Sequence, residues 1–319
     1  MAVTLLQFNI DTRADDLEGS LVQMFNDFSP VFSEIPMSDN GDAMFYDYEQ
    51  VKLLPSVGWR AFNTAWTEST GVTTPYREYL KVLGGEAKWD VQFANPKTIT
   101  RQTELKVLAA VKAWDAAFFE GTPISDPNSM IGLRPRIGGN QLILNAAGGG
   151  PLTLAKLSSL IDAVPFSTRQ EQGMVRGQGI RKVLYMNRTV RNKIDTLIGA
   201  QTGSLNIMTT KDAFGNMVEQ FRDAVIRVVE TTGDGTTTLG FDEDPGDAVS
   251  DTASIYCVAF GDGLVEGRFR TRSGGKTLDV FRKDQLEAEP RGLIRFEGMY
   301  GLAVEHPRSC ARLYGITNA

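Results

Sequence analysis

Apolar and polar residues alternate strictly from Glu86 to Phe93, with Ala87, Trp89, Val91 and Phe93 set against Glu86, Lys88, Asp90 and Gln92. A period of two marks a strand with one buried face. A similar alternation, Met44, Tyr46 and Tyr48 against Phe45, Asp47 and Glu49, predicts an outgoing strand. The span between them is broken by Pro55, Gly58, Gly71 and Pro75 and is not helical by pattern. Residues 43–93 are therefore expected to form a β-hairpin extension whose two strands are the outgoing 44–49 and the returning 86–93. Trp59, Trp66 and Trp89, three of the four tryptophans, lie in it with Phe62, Tyr76 and Tyr79. A two-stranded hairpin is not stable alone in water. Large aromatics are enriched where chains meet, so the extension is expected to pack on neighbouring subunits. Contacts are expected at Trp59, Arg60, Phe62, Trp66, Tyr76 and Arg77.

After Asn95-Pro96 the period changes. Val107, Val111, Trp114 and Phe118 form one stripe of a 3.6-residue repeat. They predict a helix from about Thr100 to Phe119, capped by Thr98 or Thr100 and stopped by Gly121 and Pro123. At roughly 30 Å it is long enough to act as a spine. Beyond Arg136 strands and helices alternate. Leu142 to Leu144 is a short strand, and Leu154 to Val164 a helix capped by Thr153. Val183 to Met186 is a buried strand, and Asn187 caps a helix with the stripe Val190, Ile194, Leu197 and Ile198. Further strands are expected over 225–229, 254–260, 264–269, 278–281 and 293–316, with a solvated Gly/Thr/Asp-rich loop at 231–251. The fold class is α+β with an extended arm over residues 1–42.

Composition narrows the function classes. The 319 residues are 42% hydrophobic and 23% charged, as in a globular protein with a real core. No apolar run approaches the ~20 residues of a membrane-spanning helix. The N-terminus has no basic segment and soon meets Asp11, Asp15 and Asp16, so no signal peptide is expected. With 33 basic and 39 acidic residues the net charge is −6, which argues against a protein built to grip a phosphate backbone. Cys257 and Cys310 sit in apolar settings and are expected to be buried and reduced.

Catalytic constellations are scarce. His306 is the one histidine, which removes most Ser–His, Cys–His and metal schemes, and a structural role is expected for it. Gly274-Gly275-Lys276-Thr277 mimics the end of a phosphate-binding loop, but Arg270 stands where that pattern needs glycine. Gly177-Gln178-Gly179 has no strand before it and lacks the last glycine of a dinucleotide fingerprint. Asp242, Glu243, Asp244 and Asp247 lack the ligand spacing of a helix–loop–helix calcium site. No catalytic residue, cofactor or metal site is expected.

Several segments resemble the major capsid proteins of tailed bacteriophages. Leu54-Pro55-Ser56-Val57-Gly58-Trp59-Arg60-Ala61-Phe62-Asn63 looks like the outward limb of that family's extension loop, and the spine helix follows the loop at once. Gly132-Leu133-Arg134-Pro135-Arg136-Ile137 looks like the passage from the helix into the axial domain. Phe296 to Val304, His306-Pro307-Arg308 and Ala311-Arg312 are similar to the closing peripheral-domain strands.

The resemblance implies the Hong Kong 97 phage-like capsid shell fold. It divides the chain into an N-terminal arm (1–42), an extension loop (43–93), a peripheral domain (94–137 and 290–319) and an axial domain (138–289). It also implies self-assembly into hexamers and pentamers of an icosahedral virion shell around double-stranded DNA, put together in the host cytoplasm. Portal, decoration and scaffolding proteins are the implied partners. The chain starts directly with the arm, so scaffolding is expected to be separate or absent. Some relatives lock the shell through a loop lysine, whereas Trp59 to Leu80 contains none and Lys52, Lys81 and Lys88 lie lower, so a non-covalent shell is expected. An encapsulin-type compartment and a cytosolic oligomeric α+β enzyme are the alternatives.

Overall fold

The computed structural model describes residues 23, 25, 28–93, 96–166, 180–199, 207–211, 217–229, 238–271 and 277–318. Most of the arm, the glycine motifs at 177–179 and 274–276 and the start of the 231–251 loop lie outside them.

The ranges of the described elements begin with β1 (Met37–Asp39), β2 (Phe45–Leu53), β3 (Val72–Tyr79) and β4 (Lys81–Asp90), which lead into α1 (Pro96–Glu120). It continues through β5 (Leu142–Leu144), α2 (Leu154–Ala163), β6 (Arg181–Met186) and α3 (Arg188–Gly199). The remainder is strand: β7 (Ile207–Lys211), β8 (Met217–Phe221), β9 (Ala224–Val228), β10 (Thr252–Phe260), β11 (Val265–Phe269), β12 (Asp279–Lys283), β13 (Arg291–Val304) and β14 (Cys310–Thr317). The expected α+β class is found.

Among the described residues twelve strands form one mixed sheet, in which β6 and β9 are parallel and β10 is antiparallel to both β6 and β14. Its centre is buried on both faces, which is why β10 reads as an apolar run rather than an alternation. Tyr256, Val258 and Phe260 enter one core with Val183 and Tyr185 of β6. Ile255, Cys257 and Ala259 enter a second core with Leu184, Met186 and the buried stripes of α2 and α3.

Helix α1 covers the first core. Val107, Val111, Trp114 and Phe118 are all buried, as the 3.6-residue stripe predicts. Trp114 packs edge-on to Tyr300 of β13, and Phe118 meets Tyr185 and Phe260. The expected caps are corrected: α1 begins at Pro96, so Thr98 and Thr100 lie inside its first turns. Proline suits the first helical position because its missing N–H would have no partner there. At the other end the returning chain supplies the cap. Leu133 and Arg134 N–H groups donate to Phe118 and Phe119 carbonyls, each at 2.8 Å. A Cβ on Gly132 would stand 2.5 Å from the Ala117 carbonyl oxygen, so this close return needs glycine. The caps expected for the shorter helices are present: Lys156 N–H donates to Thr153 Oγ1 and Val190 N–H to Asn187 Oδ1.

The pairing of the extension is also corrected. β2 pairs with β3, not with the alternating 86–93 stretch. β4 instead runs along β13, from Lys81 opposite Tyr300 to Asp90 opposite Arg291. Val91 to Phe93 is a short 3₁₀ turn rather than the end of a strand.

Candidate assembly surface

The β2–β3 hairpin stands on a polar root. Arg136 grips both Glu78 oxygens, one through a very short contact to Nη1 and the other from Nη2 at 2.9 Å. Its Nε donates to the Gly132 carbonyl and its Nη2 to that of Ile131. Tyr48 Oη donates to Glu78 Oε1 at 3.1 Å, and Tyr46 Oη to Glu305 Oε1 at 2.6 Å. Burial, followed by the bond to Glu305, pushes the Tyr46 hydroxyl up to about 12. The Arg268 guanidinium lies 3.7 Å from the Tyr46 ring centroid and also reaches Glu266 and Glu305. Gln50 Nε2 donates to the Val304 carbonyl at 2.7 Å. Tyr46, Tyr48 and Tyr76 stack in a row on one face, with centroids under 6 Å apart at each step. These contacts fix the hairpin's direction relative to the end of β13.

Above the root the picture reverses. Residues 51–73 are exposed without a break. Trp59 and Phe62 are fully exposed, Val57 nearly so, and Leu54 and Trp66 largely exposed. The tip bends around Arg60, whose Nη1 donates to the carbonyls of Ala61 and Thr64 and whose guanidinium sits 5.4 Å from the Trp66 ring centroid. Asn63 takes a left-handed conformation at φ 64°, one that asparagine tolerates. Large apolar side chains this exposed gain nothing from water, and exposed apolar surface of this kind marks an interaction site.

The six sequence-predicted contact residues thus divide. Trp59, Arg60, Phe62 and Trp66 are together at the tip. Tyr76 lies lower, stacked on Tyr48. Arg77 pairs within its own hairpin, Nε and Nη2 reaching the two Asp47 oxygens at 2.6 and 2.8 Å, with Phe45 under its face. That pair holds the Asp47 carboxyl below the usual range. Within its own chain the Arg77 fork is thus filled by a carboxylate of the facing strand.

Other candidates resolve as structural. His306 Nδ1 accepts from Arg308 N–H, its ring packs edge-on to Phe166, and burial lowers its pKa. Cys257 and Cys310 are free and buried, on opposite faces of the sheet, and burial pushes both thiols up to about 12. The acidic loop is only partly solvated, a second correction. Asp244 accepts backbone N–H groups of Gly246, Asp247 and Ala248 in an exposed turn. Glu243, however, is buried against Arg312, Nη2 at 2.6 Å, and against Ser254. Among the described residues no group of acids, histidines and cysteines could hold a metal ion.

No protein-family model and no curated protein sequence matches the chain. Solved structures do. The holo-SrpI encapsulin complex from Synechococcus elongatus aligns with TM-score 0.64 and 13% identity over 92% of this chain and 89% of that one. A chain from the structure of Microbacterium phage Oxtober96 aligns at TM-score 0.59 and 14% identity, covering 91% of this chain and 90% of that one. The capsid of the native GTA particle aligns at 0.57 and 15%, covering 90% of each. The chain has the Hong Kong phage shell fold, shared by phage capsid proteins and encapsulins.

Proposed function

We propose that the protein is a structural shell subunit, the major capsid protein of a tailed bacteriophage. It assembles with copies of itself into hexamers and pentamers of an icosahedral virion shell enclosing double-stranded DNA. The observation that carries this reading is the aromatic extension, held at its root and bare from Val51 to Thr73, on a fold that aligns over 90% of the chain with the capsid of the native GTA particle. A second chain supplies the cover that the tip lacks. Net charge of −6 suits a container whose wall must not adhere to its cargo. In this reading the arm is 1–42, the extension 43–93, the peripheral domain 94–137 with 290–319, and the axial domain 138–289.

A cargo-filled encapsulin compartment is the second reading, favoured by the fold match to the SrpI shell. Particles isolated from cells that make the protein and treated with external nuclease separate the two. Nuclease-protected double-stranded DNA supports the virion reading. Nucleic-acid-free particles containing a stoichiometric second protein support the compartment.

A further inference from the structure

Asp115 lies on the face of α1 that looks into the first core, and its side chain is buried. An ionised carboxylate in such a place normally has a cation or several donors beside it. Here the polar partner is Ser29, whose Oγ donates to Asp115 Oδ1 at 2.5 Å from 86 positions away. The same Ser29 oxygen accepts from Phe32 N–H at 3.0 Å, so the serine is tied into the turn that precedes β1. Around this bond the segment is apolar: Phe25, Val31, Phe32 and Ile35 are buried in the same core as Trp114. Two further buried donors, Trp114 Nε1 and Tyr185 Oη, have no hydrogen-bond partner among the described residues.

We propose that Ser29 and Asp115 form a proton-dependent latch that fastens the segment 28–35 to the spine helix, tight when the carboxyl is protonated and loosened when it ionises. A neutral carboxyl brings no charge into the apolar core and keeps a hydrogen bond to the serine. A charged one has a single donor among the described residues and a low-dielectric wall, and it regains hydration only if the segment lifts. Burial, opposed by Ser29, raises the Asp115 pKa from the ordinary 3.8 to about 7.

The neighbouring charges do not cancel the effect. Glu34, on the same segment, is matched by Arg181 of β6, Nε at 2.6 Å, and by Arg227 of β9, Nε at 2.5 Å. Tyr185 of β6 feels both Asp115 and Glu34, which with its burial keeps its hydroxyl neutral. Tyr256 of β10 and Tyr300 of β13 meet the helix through their rings at Phe119 and Trp114. The sign follows. The docked state holds a proton that the lifted state releases, so docking is strongest in acid and weakens as pH rises from about 4 towards 7.

Hydrogen exchange of the full chain, corrected for intrinsic base catalysis, tests the latch. Wild-type protection over residues 28–35 is expected to fall about tenfold per pH unit between about pH 5 and pH 7 and then level off. Asp115→Asn keeps the shape and a hydrogen bond but has no proton to lose, and its protection is expected to stay flat. Ser29→Ala removes the group that favours ionisation, so its levelling-off moves to higher pH. Wild-type protection that does not change across the window, or an Asp115→Asn protein that tracks wild type, overturns the proposal. Should Asp115→Asn not fold, the wild-type carboxyl resonance decides: titration near neutrality supports the latch, and titration near 3.8 overturns it.

Discussion

The indole of Trp114 stands edge-on to the ring of Tyr300, centroids 5.6 Å apart at 74°, and Phe32 closes the cluster at 4.7 Å from the indole. Three distant parts of the chain meet there: the segment before β1, the spine helix and the long strand β13. Geometry of this kind adds about 0.5–1.5 kcal/mol per aromatic pair to the burial itself.

Replacing Trp114 with alanine is therefore expected to destabilise the subunit by about 3–5 kcal/mol, because it empties a site that rigid neighbours cannot refill. Urea unfolding of the unassembled chain measures it. A loss below about 1 kcal/mol would mean that the cluster relaxes freely.

The root of the extension depends on Arg136. Arg136→Ala leaves Glu78 buried with only Tyr48 as a donor. Breaking a buried pair from one side costs about 3–5 kcal/mol, much of it the stranded charge. Glu78→Gln in the same chain removes that charge and is expected to recover much of the loss. Unfolding curves of the two single variants and the double variant check this, and strictly additive effects would contradict the clamp.

The aromatic tip is expected to behave in the opposite way. Trp59 and Phe62 touch little within their own chain, so Trp59→Ala and Phe62→Ala leave subunit stability nearly unchanged. If they are anchors, each truncation costs about 2 kcal/mol or more at every equivalent interface. Normal melting with failed assembly is the expected pair of results, read by calorimetry and light scattering.

How much of this was legible in the sequence depends on whether the signal was local. The stripe from Val107 to Phe118 placed the spine helix because its period reports the buried face directly. The alternation over 86–93 placed a strand and its inward residues, yet it named the wrong partner, since periodicity says which side faces inward and not which strand lies alongside. The true return strand was hidden by Pro75, which sits opposite Glu49 in a two-stranded ribbon where an edge tolerates a missing N–H. Glu243 read as solvated because its partner Arg312 lies 69 positions away. Trp59, Arg60, Phe62 and Trp66 lie within eight positions of one another, so their shared place at the tip follows from local sequence alone. The Arg77–Asp47 pair was not legible, because Asp47 lies on the facing strand of a hairpin whose partner strand the alternation did not reveal.

Shell contacts are expected to be non-covalent. Lys81 Nζ donates to the Pro127 carbonyl at 2.8 Å and Lys88 pairs with Glu86, so both are engaged at the base of the extension. Arginine, the cation of the tip, stays protonated and unreactive. Assembled particles boiled in denaturing detergent should run as one band at the subunit mass of 35.0 kDa. A ladder that survives reduction would contradict this and would direct attention to Lys52, Lys81 and Lys88.

The most direct test of the central claim is electron microscopy of the purified wild-type chain beside the Trp59→Ala, Trp66→Ala double variant, at matched high concentration. Closed, uniform shells from the wild type, and folded but unassembled subunits from the variant, are the predicted result. A wild-type protein that stays a 35.0 kDa monomer under every assembly condition, or a double variant that builds the same shells, would contradict the account.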